Sequence, residues 1–133
     1  MNIMAIDDDP AAHLYNRFIL EDAGLPPTCI KEFVNPAQAL AYLKDCVSEG
    51  NQGSCWPDVI LLDINMPKIN GWEFMDQFLQ LPSPFKPPKI FMVSNSVNPR
   101  DKIRVEASTH IIALKEKFLT PEFFIDLAKD LNP

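Results

Sequence analysis

Four aspartates stand at the ends of short apolar runs. Asp7, Asp8 and Asp9 follow Ile3-Met4-Ala5-Ile6, and Asp63 follows Val59-Ile60-Leu61-Leu62. Carboxylates brought together repel one another unless a cation neutralises them. Hard oxygen donors with no His or Cys among them suit Mg²⁺, which keeps several waters and is completed by phosphate oxygens. Two further runs end in groups able to meet an anion: Ile90-Phe91-Met92-Val93 ends in Ser94, and the run from Ile111 to Leu114 ends in Lys115-Glu116-Lys117. A carboxylate nucleophile, a cation site, a hydroxyl and an ammonium together equip a site for phosphoryl transfer. Taken singly each residue has a plainer use. Asp9 before Pro10 caps a helix, Ser94 ends a strand, and Lys115 and Lys117 are solvated charges. Their joint placement carries the reading.

For these residues to meet, the runs that carry them must lie side by side. Ile3 to Ile6 is too short for a helix and reads as a buried strand. The other strands are Cys29 to Val34, Val59 to Leu62, Ile90 to Val93 and Ile111 to Leu114. Continuous apolar runs without polar alternation suit parallel strands covered on both faces. Between them, Asp9-Pro10, Asn35-Pro36, Asn98-Pro99 and Thr120-Pro121 each set a capping side chain before a proline at the first helical position. Apolar stripes follow, predicted to face the core: Leu14 and Phe18; Leu40, Leu43 and Val47; Met75, Phe78 and Leu79; Phe124, Leu127 and Leu131. The helix after Asn98 has a thin stripe, Ile103 and Ala107 among charged neighbours, and is expected to be the least firmly held. Strand and helix alternating five times predict an α/β fold, a flavodoxin-like (βα)₅ sandwich around a five-stranded parallel sheet. Ligands of such sheets bind at the carboxyl ends of the strands, where Asp7, Asp8, Asp63 and Ser94 lie.

With 133 residues, 47% of them hydrophobic, the chain suits one domain with one core. The last stripe runs to Leu131, so a single domain over 1–133 with no output domain is expected. A formal charge of -6 with scattered Lys and Arg excludes the basic footprint of sequence-independent nucleic-acid binding. No run approaches the roughly eighteen apolar residues of a membrane span, and there is no signal-peptide pattern, so a cytoplasmic protein is expected. Cys29, Cys46 and Cys55 are odd in number and lack the short paired spacings of zinc sites, and are read as reduced structural thiols. The stretches Gly50 to Pro57 and Leu81 to Pro88 read as solvent-facing connections, the second a rigid spacer.

Ile6-Asp7-Asp8-Asp9-Pro10, then Leu61-Leu62-Asp63-Ile64-Asn65-Met66-Pro67, then Asn70-Gly71-Trp72-Glu73 resemble the response-regulator receiver family of two-component signalling over essentially the whole chain. The resemblance implies that Asp63 is the phospho-acceptor and that Asp7 and Asp8 are the acidic pair. By the same resemblance Asp8 ligates Mg²⁺, Asp7 acts through water, and Asn65 contributes its backbone carbonyl. Ser94 matches the switch hydroxyl. Lys117-Phe118-Leu119-Thr120-Pro121-Glu122 is similar to the family's K-P-L-T-P-E, which implies Lys117 rather than Lys115 as the active-site lysine. The family's cis peptide at that bond would be costly before Phe118. Where many receivers carry an aromatic in strand five, this chain has Ile112 and Leu114, so a switch built on Ser94 is expected. The implied partners are a sensor histidine kinase or histidine phosphotransfer protein and a downstream protein target, with no nucleic acid and no membrane. The surface of the fourth helix, fifth strand and fifth helix is expected to carry the output.

Three rival readings are weaker. A receiver-like protein-binding module working without phosphorylation would not need Asp7, Asp8, Asp63 and Ser94 together. A flavodoxin-like electron carrier needs a Gly-, Ser- and Thr-rich phosphate loop where this chain has Pro10-Ala11-Ala12. An aspartyl-phosphate phosphatase wants a second catalytic aspartate where Asn65 stands, so the chain is expected to be a switch, not a turnover enzyme.

Overall fold

The computed structural model describes residues 1–49 and 55–131, so most of the loop between Gly50 and Pro57 lies outside the described residues. Along the chain run β1 (Ile3–Ile6), α1 (Pro10–Asp22), a 3₁₀ turn (Pro27–Cys29), β2 (Ile30–Phe33), α2 (Pro36–Ser48) and β3 (Val59–Asp63). They are followed by α3 (Gly71–Phe78), β4 (Lys89–Ser94), α4 (Pro99–Ala107), β5 (Ile111–Glu116) and α5 (Pro121–Leu131). The strands form one parallel sheet in the order β2-β1-β3-β4-β5, the expected flavodoxin-like (βα)₅ arrangement.

Alternate residues of the central strands serve the two helical layers. Met4, Ile6, Ile60, Leu62 and Met92 pack with α2, α3 and Val105 of α4, whereas Ile3, Ala5, Val59, Leu61, Phe91 and Val93 pack with α1 and α5. Complete burial holds for β1 and β3, while the edge strands β2 and β5 stay half-open. That is narrower than the expectation of strands covered on both faces, because an edge strand lacks a neighbour on one side.

The helix starts follow from capping. Asp9, Asn35 and Asn98 accept from the backbone N–H of Ala11, Ala37 and Arg100 with proline in the first turn. The Thr120 hydroxyl accepts from Phe123 N–H at 3.3 Å. At α3, the Asn70 side chain accepts from Glu73 N–H while the Glu73 carboxylate accepts from Asn70 N–H, so N-G-x-E is a reciprocal capping box.

Three expectations about side-chain direction are corrected. Leu14 and Phe18 are 51% and 59% exposed, and α1 buries Ala12, His13, Ile19 and Leu20 instead. Both sets have helical spacing, and the sheet selected the one whose small Ala12 permits close approach. Leu79 is exposed because α3 ends at Phe78. On α4, Ile103 is 67% exposed and Ala107 is exposed too; Val105, about 200° around the helix from Ile103, is the buried residue. The thiol expectation is corrected as well, since Cys46 and Cys55 are joined, their Cα atoms 5.9 Å apart, and Cys29 is the free cysteine. Nine residues of separation carry no pairing signature; the return of the chain from α2 to β3 brings the two together. No described helix is long and apolar enough to cross a membrane.

Candidate functional site

The carboxyl ends of β1 and β3 lie side by side, since Ile6 pairs with Leu62. Asp7 and Asp63 therefore emerge as neighbours, both buried, and Asp8 joins them from the exposed side. Carboxylate oxygens of the three lie within 4.8 Å of one another. Asp9, which looked like a cap, is one, and its N–H also donates to Asp7 Oδ1 at 3.0 Å.

Lys117 reaches this cluster, with Nζ 2.6 Å from Asp7 Oδ2 and 3.6 Å from Asp63 Oδ2. Lys115 does not; its ammonium lies 6.0 Å from the centroid of the Phe123 ring. Strand alternation would put both lysines on one face, but Lys117 lies beyond the end of β5 at Glu116. Its N–H is held by the Ser94 carbonyl at 2.8 Å. The Lys117–Phe118 peptide is cis although no proline is present.

Burial raises the Asp63 carboxyl to about 7 from an ordinary 3.8, and the Asp7 charge and a hydrogen bond with Asp8 add to the rise. The Lys117 ammonium and the Asn65 N–H oppose it. Burial alone would lower Lys117, but the hydrogen bond and charge of Asp7, with help from Asp63, turn its net direction upward. One ammonium thus serves two or three carboxylates, leaving a surplus of negative charge that a hard cation would neutralise. The donors are all oxygen, which fits Mg²⁺.

Asn65 and Ser94 complete the rim. Asn65 N–H donates to Asp63 Oδ1 at 3.3 Å, and the Asn65 amide is 3.5 Å from Ser94 Oγ. Ser94 is buried at the end of β4, where its hydroxyl donates to the Ser96 carbonyl at 2.8 Å and accepts from Ser96 N–H at 3.2 Å.

Two residues here had no role in the sequence reading. Buried His13 holds Nε2 2.8 Å from the Asp7 carbonyl and 3.2 Å from the Phe33 carbonyl, bracing the ends of β1 and β2; its Nδ1 has no hydrogen-bond partner among the described residues. Nothing in the sequence distinguishes it from a surface histidine. Gly71 donates to the Ile64 carbonyl at 2.8 Å, and a Cβ there would stand 2.8 Å from the Asp63 carbonyl. The glycine of N-G-x-E is thus required by close approach to the Asp63 backbone, a signal present in the motif but legible only in three dimensions.

Residues 3–114 match the response regulator receiver domain, a stretch that takes in Asp7, Asp8, Asp63, Asn65 and Ser94 and stops before Lys117. The fold is similar to a response regulator receiver protein from Dyadobacter fermentans, with 32% identity, TM-score 0.80, and 100% of this chain and 98% of that one covered. A two-component response regulator from Cytophaga hutchinsonii gives 29% identity and TM-score 0.78, with 99% of this chain and 97% of that one covered. A protein-glutamate methylesterase/protein-glutamine glutaminase of Burkholderia thailandensis is 29% identical over 94 residues, which are 71% of this chain and 22% of that protein, so the chain spans only a fraction of that relative. By the extent of the family match and the likeness to two receivers over nearly their whole length, this chain belongs to the response regulator receiver domain family.

Proposed function

We propose that the chain is a Mg²⁺-dependent phosphoryl acceptor in a two-component phosphorelay, taking the phosphoryl group on Asp63 and signalling by phosphorylation-dependent protein contact. The observation that carries the reading is the buried Asp63 carboxylate held between Asp7, Asp8 and the Lys117 ammonium. An Asp63 oxygen attacks the phosphorus of the donor, an acyl phosphate forms, and the bond from phosphorus to the donor's leaving group breaks with its electron pair leaving on the donor. Mg²⁺, held by Asp8, Asp63 and the Asn65 carbonyl with Asp7 acting through water, would neutralise charge on the phosphoryl oxygens. Lys117 pairs with one of those oxygens, and Ser94 turns its hydroxyl from Ser96 to another. Asn65 stands where an aspartyl-phosphate phosphatase would want a second catalytic aspartate, which supports a switch with slow self-dephosphorylation.

The donor is a sensor histidine kinase or a histidine phosphotransfer protein. It must approach over the strand ends, beside which Tyr15 and Phe118 form an exposed aromatic pair, with Leu14 and Phe18 also exposed on α1. The output partner is a protein bound at α4, β5 and α5, where Ile103 and Ile112 are 67% and 54% exposed. Incubation with acetyl phosphate, with and without Mg²⁺, followed by mass spectrometry tests the assignment. Mg²⁺-dependent labelling of Asp63, abolished in Asp63→Asn, is expected; labelling of Ser94 or Asp7 instead would overturn it.

A further inference from the structure

We propose that Trp72 is a latch between the Asp63 pocket and α4, holding the first turn of α4 in the arrangement seen here and opposing the phosphorylated one. The inference rests on the phosphoacceptor reading and assigns it a positioning residue outside the pocket.

The indole N–H of Trp72 donates to Asp101 Oδ1 at 3.0 Å, and the Arg104 guanidinium lies 4.1 Å from the centroid of the indole ring. Asp101 and Arg104 are three residues apart and so share one face of α4. Trp72 follows Gly71, whose N–H donates to the Ile64 carbonyl and where an added Cβ would stand 2.8 Å from the Asp63 carbonyl. Its backbone is thereby keyed to the end of the acceptor strand.

The rest of α4 is weakly anchored. Val105 is its buried residue, and Ile103 lies in solvent. A hydrogen bond to a carboxylate belongs to the stronger class, and a cation over an indole face adds to it. The latch adds to the Val105 packing and the Asn98 cap that hold this helix, and it acts on the turn nearest the pocket.

Ser94 and Asn98, the cap of α4, are separated by three residues, and the Ser94 hydroxyl is engaged by Ser96 within that connection. Turning the hydroxyl toward a phosphoryl oxygen releases Ser96 and shifts the connection, which pulls Asp101 away from Trp72. β5 carries no aromatic residue; the aromatic contact with the exposed side of α4 comes from Trp72 of α3. An interaction made in one arrangement only must, by linkage, weaken binding of any ligand that favours the other.

Beryllofluoride with Mg²⁺, followed by ¹⁹F NMR, measures that linkage. Trp72→Phe keeps an aromatic face for Arg104 and deletes the indole donor; Asp101→Ala deletes the acceptor on the helix surface and serves if the tryptophan variant does not fold. Both are expected to bind beryllofluoride about three- to tenfold more tightly than wild type, with faster amide exchange over residues 99–107 before the ligand is added. A merely structural role would leave affinity unchanged or weaken it, and either result would overturn the latch. If the wild type takes neither beryllofluoride nor a phosphoryl group on Asp63, the phosphoacceptor reading falls and the latch with it. If the wild type binds and both variants match it, the latch alone falls.

Discussion

The proposed acceptor pocket and the proposed output helix are built to opposite specifications. Asp7 and Asp63 sit at the carboxyl ends of fully buried central strands, braced by His13 and by a glycine pressed against the Asp63 backbone. The Ser94 to α4 region sits beside an edge strand and is secured by Val105 and the contacts of Trp72. The contrast separates precision from responsiveness. A pocket crowded with like charges needs rigid walls, because relaxation would separate the charges and lose the cation site. An output element must have two arrangements close in free energy, which a fully packed helix would not.

The largest effect that sharpens this contrast lies in the rigid half. Lys117→Met is expected to lower Mg²⁺-dependent labelling of Asp63 by about a hundredfold, the scale of one lost charge-stabilising donor. Lys115→Met should leave the rate within about twofold, since that ammonium lies by Phe123 outside the cluster. Comparable losses from both would mean that two lysines share the pocket.

Next in size is Gly71→Ala. The added Cβ meets the Asp63 carbonyl at 2.8 Å, backbone that cannot swing aside as a flexible side chain would, so a loss of about 1–3 kcal/mol in urea unfolding is expected. An unchanged midpoint would show that the acceptor end is softer than its packing implies.

The pH dependence comes third. Because the folded-state pKa of Asp63 is raised from 3.8 to about 7, the folded protein keeps a proton that the unfolded chain has released. That contribution is fully present below pH 3.8 and is lost as pH rises through about 7. The metal-free protein should therefore melt at a lower temperature at pH 8 than at pH 5, and Asp63→Asn should flatten the difference. Millimolar Mg²⁺ should raise the melting temperature more at pH 8 than at pH 5; at a hundredfold excess over Kd the bound ion stabilises the fold by about 2.7 kcal/mol. Asp8→Ala should abolish the Mg²⁺ response.

The smallest effect belongs to the responsive half. Ile103→Ser, on the exposed side of α4, is expected to change stability by no more than about 0.5 kcal/mol while weakening capture of an output partner in a pull-down. Val105→Ala removes α4's buried contact and should cost about 1–2 kcal/mol. Equal costs would erase the distinction between the core-facing and partner-facing sides of this helix.

The sequence by itself determined the fold class and which strand-end carboxylates the fold brings together. Short uninterrupted apolar runs ending in Asp, Asp and Ser, separated by Asx-Pro and Thr-Pro caps, permit few other folds, and the carboxyl ends of parallel strands converge wherever such a sheet forms. Local signals of that kind survive without three-dimensional knowledge because the backbone enforces them residue by residue. Tertiary structure alone decided which face of each helix went inward. Leu14 and Phe18 have the spacing of a core stripe yet lie in solvent, and Ile103 yields to Val105, because the choice between two apolar faces depends on the shape of the sheet they meet. It also paired Cys46 with Cys55, brought the ammonium of Lys117, already singled out over Lys115 by its Leu-Thr-Pro-Glu context, onto the Asp7 carboxylate, and put Trp72 between Asp101 and Arg104. Each of these contacts joins segments that no local pattern relates, and their distances exist only once the chain has closed on itself.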